Sequence, residues 1–542
     1  MAVCDFRYNS YFSLSIAEDI ETGTSAAVNV FDEDGYPDDD LTYTLVSSSD
    51  ITYTPSDGKI TFSTKGTYLV VFNLCIESQS GTVTAVCGIR VNGSYVFQTE
   101  GVYVNANLDP KTNTFHTVLD ISEGDELEIV IDDETSNELK VMTGTSVVIL
   151  KSKGDYGSLK YTVDSSHSLT GLKTLFHQDL GGTTEEKLRN VTFSAAASGS
   201  LTPAHTRKYL MISTLLMTPA ATSKLMEHHL YADGSSLVQM DTTIYSGFYS
   251  PQEQTLSILK ELTGAETASG RFKEASGSQR WYPQEGTSFS IFDVTNNGID
   301  PSAYLSISTG VDSSENTSGD IDIFDAGEYS GGNLNLTVHV GAVAGTNGIT
   351  FTQADGKFTV SNGGVYFVTL NVGMALAGTP QDGERILKIF KNDSSFSGTA
   401  IYAVKHYQRT TEDPQEVSAC VLVDLVAGDY LNFALNKPKC KFGSGTSVTM
   451  FKVNDIPVNG DPYVLRSDER YGQINSESTP TAQISDDFTL NNYAIDNLSA
   501  QHKTIPKQVP FILGTPGPLS LRGRCTAITE TPPNVSTGDK KN

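Results

Sequence analysis

The chain has 542 residues, with 37 Lys+Arg against 64 Asp+Glu and a formal charge of −27. A single core rarely grows past about 250–300 residues, so several domains are expected. The charge argues against a nucleic-acid surface, which needs a net basic stripe, and against docking on an anionic membrane. No run of about eighteen apolar residues offers a bilayer span. The charged share of 19% is too low for a disordered chain, and 47 Gly with 24 Tyr and a single Trp suit strands and turns.

In chain order, the N-terminal MAVCDFRYNSYF has no basic n-region and no long apolar h-region, so no secretory signal is expected. The acidic run Asp32 to Asp40, DEDGYPDDD, follows. Hard cations want several carboxylate and carbonyl oxygens together, which makes Asp32, Asp34, Asp38 and Asp39 the candidate calcium ligands. The run lacks the spacing of a helix-loop-helix calcium site, and a solvated loop is the plainer reading. Asp132-Asp133-Glu134 is a weaker acidic loop of the same kind.

Lys59 to Leu74, KITFSTKGTYLVVFNL, places Tyr68, Val70, Phe72 and Leu74 on one face of a strand. Asp57 to Val70 (DGKITFSTKGTYLV) recurs as Asp355 to Val368 (DGKFTVSNGGVYFV). Gly124-Asp125-Glu126-Leu127 recurs as Gly428-Asp429-Tyr430-Leu431, and Gly144 to Lys151 (GTSVVILK) as Gly445 to Lys452 (GTSVTMFK). Three blocks in the same order mark an internal repeat. A fainter copy lies between them: Lys208 to Leu215 as its Tyr-bearing strand, Asp233-Gly234 matching the turn Asn92-Gly93, and Gly286 to Ile291 as its closing block. Its central block is not evident. Leu256 to Leu262, LSILKEL, is the best helical candidate and reads equally as a strand. The organisation expected is all-β: tandem antiparallel sandwiches at 1–152, 155–310 and 315–455, the third entered through the polar stretch 313–320. Residues 456–542 are dense in Pro and include the apolar VPFILGTPGPLSLRGR (509–524), which reads as an extended C-terminal arm.

The repeated pattern, Phe-x-x-x-Gly-x-Tyr-x-Val-x-Phe, then Asn-Gly, then Gly-Asp-x-Leu-x-Ile, then Gly-Thr-Ser before an alternating strand, resembles the jelly-roll domain of the tumour necrosis factor and complement globular-head superfamily. The matching residues are Phe62, Gly66, Tyr68, Val70, Phe72, Asn92, Gly93, Gly124, Asp125, Leu127, Ile129, Gly144 and Leu150. In the last copy they are Phe358 or Val360, Gly364, Tyr366, Val368, Leu370, Gly428, Asp429, Leu431, Phe433, Gly445 and Phe451, with Lys391-Asn392-Asp393 in place of Asn-Gly. The resemblance implies ten-stranded sandwiches that associate as trimers about an aromatic axis, so that three chains would build a tower of stacked rings.

No Gly-x-Ser-x-Gly elbow, P-loop, His-Glu-x-x-His or Cys-x-x-Cys occurs, and no catalytic residue is nominated. His228-His229 face opposite ways if on a strand, so they do not converge on one metal. Cys75 and Cys87, like Cys420 and Cys440, bracket turns and are open to pairing, with reduced thiols the default. Trp281-Tyr282 reads as core, axis or recognition surface. The function expected is a structural protein of a virus particle: a homotrimeric projection at the virion surface, meeting other capsid or tail proteins through 456–542. The alternative is a receptor- or glycan-binding adhesin. No enzyme activity, cofactor other than the candidate calcium, nucleic-acid partner or membrane span is expected.

Overall fold

The alternation carries through into strands, and no α-helix is present among the described residues. The structure, a computed structural model, describes residues 10–453 except 22–27, 37–40, 79–82, 100–101, 105–109, 134–138, 153, 163–171, 177–183, 196–198, 220–223, 245–251, 275–280, 296–300, 314–319, 330–331, 333, 344, 346, 377–381, 411–413 and 437–439. It also describes Ala2–Cys4 and Cys525–Ala527. Two units separate: residues 9–454, and the two chain ends, within which Ala2–Cys4 pairs antiparallel with Cys525–Ala527. The rest of the expected arm, 456–542, lies outside the described residues.

Ten principal strands build a first sandwich. They are β1 (Tyr11–Ile16), β2 (Tyr43–Ser47), β3 (Ile51–Thr54), β4 (Lys59–Phe62), β5 (Gly66–Ser78), β6 (Val83–Val91), β7 (Ser94–Gln98), β8 (Lys111–Ile121), β9 (Glu126–Asp133) and β10 (Ser146–Lys151). One sheet runs β7-β6-β9-β4-β3, and the other runs β8-β5-β10-β1-β2. The second sandwich has β11 (Tyr156–Tyr161), β12 (Thr184–Arg189), β13 (Val191–Ser194), β14 (Ser200–Pro203), β15 (Arg207–Pro219), β16 (Lys224–Ala232), β17 (Ser235–Ile244), β18 (Gln252–Leu262), β19 (Ala268–Glu274) and β20 (Ser288–Asp293). The third has β21 (Tyr304–Thr309), β22 (Leu336–Val340), β23 (Ile349–Thr352), β24 (Lys357–Val360), β25 (Gly364–Leu376), β26 (Gly383–Lys391), β27 (Tyr402–Gln408), β28 (Gln415–Leu425), β29 (Tyr430–Asn436) and β30 (Ser447–Lys452). Their sheets run β17-β16-β19-β14-β13 with β18-β15-β20-β11-β12, and β27-β26-β29-β24-β23 with β28-β25-β30-β21-β22. Adding ten to a strand number moves to the equivalent strand of the next sandwich. The chain is therefore an all-β array of tandem jelly-roll sandwiches, and the middle one shares the fold.

Each sandwich is filled by the alternating residues of its two facing sheets. Phe62, Tyr68, Phe72 and Ile129 are in the first core, Tyr209, Met211, Leu230 and Phe289 in the second, and Phe358, Tyr366, Phe433 and Met450 in the third. The strand tyrosine is held alike each time: its hydroxyl donates to the carbonyl four residues earlier, Tyr68 to Thr64 at 2.8 Å, Tyr209 to His205 at 3.1 Å and Tyr366 to Asn362 at 2.5 Å. That bond lets a large ring sit in the core with its polar end satisfied.

Two hairpins turn on two-residue loops with positive φ at both positions, Asn92-Gly93 at 51° and 76° and Asp233-Gly234 at 45° and 75°. That geometry matches the twist of the flanking strands. In the third sandwich Asn392 keeps the positive φ, but nine more residues intervene before β27. The central block missing from the middle repeat is Thr263 to Glu266. Glu266 Oε2 accepts from Thr263 N at 2.7 Å, as Asp125 Oδ2 does from Ser122 N and Asp429 Oδ2 from Val426 N at 2.8 Å. Glutamate had replaced aspartate and hidden the match.

One expectation changes and two open readings are decided. Tyr304–Thr309 pairs with both β30 and β22, so it opens the third sandwich, and the polar stretch 313–320 follows that strand instead of leading into the domain. The expected boundary at 310–315 falls just after this strand and so assigns it to the second sandwich instead of the third. LSILKEL is strand, inside β18. Cys75 and Cys87 are free, buried thiols, as is Cys420.

Candidate functional site

A half-buried sheet should show one wet face, yet β5, β8, β25 and β28 are buried along both. Their second faces meet at the centre of the unit formed by residues 9–454. The apolar cluster there draws on all three sandwiches: Leu69, Val118 and Leu150, Leu210, Leu259 and Phe292, and Phe367, Leu422 and Phe451. These are one equivalent set, because Val118 and Leu150 flank Leu69 in register, Leu259 and Phe292 flank Leu210, and Leu422 and Phe451 flank Phe367. The three sandwiches close a ring about a common axis, in sequence order, within one polypeptide. Phe367 and Phe451 stack with centroids 4.9 Å apart.

Along the axis the residues grade from apolar to polar. Two residues further along β5, β15 and β25 come Val71, Ile212 and Thr369, with His116, Ser257 and Cys420 opposite them. The next layer holds Asn73, Thr214 and Asn371 with Thr114, Thr255 and Ser418. The layer after that pairs Thr112, Glu253 and Glu416 with Cys75, Leu216 and Gly373.

Side chains in these layers bond across the seams. Between the first and second sandwiches, His116 Nδ1 lies 3.0 Å from Thr214 Oγ1 and Nε2 lies 3.1 Å from Ser290 Oγ. Thr255 Oγ1 donates to Thr114 O at 2.8 Å. Between the second and third, Ser257 N donates to Asn371 Oδ1 at 3.0 Å, and Asn371 Nδ2 to Thr255 O at 3.2 Å. Between the third and first, Asn73 Nδ2 donates to Tyr402 Oη at 2.9 Å and to Ser418 O at 3.0 Å. Lys405 also forms an ion pair there with Asp19.

The closing Gly-Thr repeat serves both its own sandwich and the seam. Gly144, Gly286 and Gly445 have φ of 94°, 93° and 90°. Thr145, Thr287 and Thr446 each accept from the backbone N of Cys75, Leu216 and Gly373, at 3.0, 3.1 and 3.2 Å. A Cβ on Gly144 would sit 2.4 Å from Ala403 O, and one on Gly445 1.8 Å from Gln239 O, both in the neighbouring sandwich. Glycine is required there twice over, by φ and by close approach.

Burial without a charged partner drives His116 down to about 3, so it is neutral at pH 7. His116 and Ser290 are both fully buried, so this histidine–serine contact offers no substrate access and serves as a joint. Glu416 is 9% exposed, and burial, with the nearby Glu253, pushes its carboxyl well up. Glu253 is raised as well, mainly by burial. Its Oε2 accepts from Thr114 N at 3.1 Å, so it reaches across to the first sandwich.

The residues singled out in the sequence lie elsewhere. Asp32 and Asp34 sit at a single 3-10 turn, Glu33–Gly35. Asp32 is raised by burial. Asp38 and Asp39 lie outside the described residues. The turn is itself repeated: Phe31-Asp32 with Tyr36 matches Phe324-Asp325 with Tyr329, and Tyr36 and Tyr329 donate to Val30 O and Ile323 O at 2.7 and 2.8 Å. Among the described residues no group of three or more His, Cys, Asp or Glu is placed to hold a metal. His228 is buried against Ser213 Oγ at 2.8 Å, while His229 lies 3.2 Å from Ser236 Oγ. Trp281 and Tyr282 lie on a short strand, Trp281–Pro283, paired to the end of β15. Sequence reasoning missed the axis residues. The available signal was the Ser, Thr and Asn on the second face of strands otherwise apolar.

No family model and no curated protein matches the chain. Among solved structures it is similar to an Eiger TNF from S. frugiperda, at 15% identity and a TM-score of 0.21, over 29% of this chain and 98% of that one. A GH2 β-galacturonidase from Eisenbergiella tayi gives 11% and 0.15, over 49% and 44%. The C2A and C2B domains of Extended-Synaptotagmin 2 give 10% and 0.12, over 47% and 99%. The jelly-roll, TNF-like assignment rests on strand order and the repeated core contacts described above. No helix among the described residues is long and apolar enough to cross a membrane.

Proposed function

We propose that the chain is a structural protein of a virus particle, forming a projection at the virion surface. The observation that carries this reading is the closed ring. Three sandwiches joined in one chain through a buried axis make a rigid head that needs no assembly step and holds three equivalent outer faces at fixed spacing. The face through which separate chains were expected to trimerise is occupied by the chain's own neighbouring sandwiches, so a homotrimer about this axis is replaced by a single-chain ring. The formal charge of −27 suits a solvent-facing module and leaves docking on a shell to locally basic or apolar partner sites.

The test is immunogold labelling of purified particles with antibody raised to residues 10–453. Label on the particle surface is expected. Label confined to cell surfaces, with particles bare, would replace this reading with that of a receptor- or glycan-binding adhesin, which the outward repetition of three similar faces also favours.

A further inference from the structure

The polar end of the axis carries two carboxyls and no third. Glu253 on β18 and Glu416 on β28 occupy equivalent places in the second and third sandwiches, where the first has Thr112. They come close enough for the charge of one to act on the other. Glu416 Oε1 accepts from Ser418 Oγ at 2.5 Å, the Thr255 N–H and the Gln254 side chain approach the same carboxyl from across the seam, and its buried Oε2 makes no hydrogen bond of good geometry. Glu253 Oε2 accepts from Thr114 N, and its Oε1 contacts Thr255 Oγ1, whose own proton is directed at Thr114 O.

The described groups facing the pair are uncharged. From β8 come Thr112 and Thr114, from β18 Gln254 and Thr255, and from β28 Ser418. Gln254 is 1% exposed, and its Oε1 has no partner. The elements packed against the pair carry Lys111 on β8, Lys405 and His406 on β27, and Glu227, His228, His229 and Asp241 on β16 and β17, and none of these shifts either carboxyl. Lys111 acts on His406, and His406 bonds Gln415, which projects from the opposite face of β28. No cation among the described residues offsets two buried negative charges.

Two carboxylates held together away from water cannot both ionise without a large cost. We propose that Glu253 and Glu416 act as a proton-sharing lock on the axis: with a proton held between them the seam between the second and third sandwiches is closed, and its loss in alkaline solution loosens that seam. Oε2 of Glu416 is the atom that would carry or share the proton. In an unfolded chain both groups ionise freely near the ordinary glutamate value. The folded protein therefore holds protons that the unfolded chain releases, and this pair's contribution to stability falls as pH rises above that value, most visibly above the histidine range, where the buried histidines no longer oppose it.

The test is thermal melting of the full chain from pH 5 to pH 9, for the native protein, Glu416→Gln and Glu253→Gln, each with and without a chelator. Amide exchange at Ser257, whose N–H bonds Asn371 across this seam, is followed in parallel. The native melting temperature should fall toward pH 9, with exchange at Ser257, corrected for intrinsic rates, rising at least tenfold. Either amide variant should flatten both trends and match or exceed the native protein at pH 9. Parallel curves for the native chain and a folded variant overturn the proposal. So does a native curve that shifts with chelator, since a bound cation would then be holding the charges. Should one variant fail to fold, the other decides.

Discussion

The sandwich interiors and the axis between them are both buried, yet they are built on different rules. The interiors are nearly all hydrocarbon and are repeated closely, as with Tyr68, Tyr209 and Tyr366 or Ile129 and Phe433. The axis is apolar only at one end. Elsewhere its equivalent positions diverge, His116 against Ser257 and Cys420, Thr112 against Glu253 and Glu416. An interior must fill the same space in every copy. A seam inside one chain meets only one partner, so its three versions are free to differ as three identical chains could not. The lesson is that covalent linkage relaxes symmetry where the copies touch and leaves it intact where they do not.

Truncation is the strongest way to probe the comparison. Phe451→Ala on the axis and Phe433→Ala in an interior should each cost about 3–5 kcal/mol in denaturant unfolding, since both rings are fully packed. A much smaller loss for Phe451→Ala would mean the axis is loosely joined. Next come the seam glycines. Gly445→Ala meets Gln239 O and should lose on the order of 3 kcal/mol or more. Gly286→Ala, whose nearest neighbour would be Thr99 Cγ2 at 3.0 Å, carries mainly the strain of its φ and should lose about 1–2 kcal/mol. Equal losses would contradict the tighter contact at Gly445.

Acid should find the axis first. His116 is held neutral with a value near 3 against an ordinary 6.5, so the unfolded state takes up a proton that the folded state refuses. Stability should fall as pH drops below about 6.5, by up to about 1.4 kcal/mol per pH unit for this one group. His228 and His406, also pushed to about 3 by burial, add to the same slope. His116→Asn should make melting measurably less steep in pH, and an unchanged slope would place the acid sensitivity elsewhere. The smallest effect is a core one. Tyr329→Phe removes a single hydroxyl bond to Ile323 O and should cost about 1 kcal/mol by chemical denaturation. A neutral result would mean the Phe-Asp…Tyr turn is held by ring packing alone.

Much of the interior was legible because it obeys period-2 alternation and because glycines at turns resist replacement. Asn92-Gly93, Gly144 and Gly445 all stand where the repeats placed them. The middle copy was harder to read because Glu266 does the work of an aspartate, and because β18 has axis residues interleaved with core residues, which gives LSILKEL a near-continuous apolar look. The axis was not legible for the same reason. Asn73, Thr114 and Ser146 look like the wet face of an ordinary sheet until a second sandwich is set against them. Alternation reports that two faces differ, and it does not report that both are buried.

The central claim is that one chain supplies the whole ring. Light scattering on the purified chain, diluted stepwise to nanomolar concentration with the fold followed by circular dichroism, tests it most directly. A mass of one chain, 58.3 kDa, with the β signal unchanged on dilution is the predicted result. A three-chain mass that falls on dilution together with loss of folded signal would contradict it, because the axis would then be made between chains.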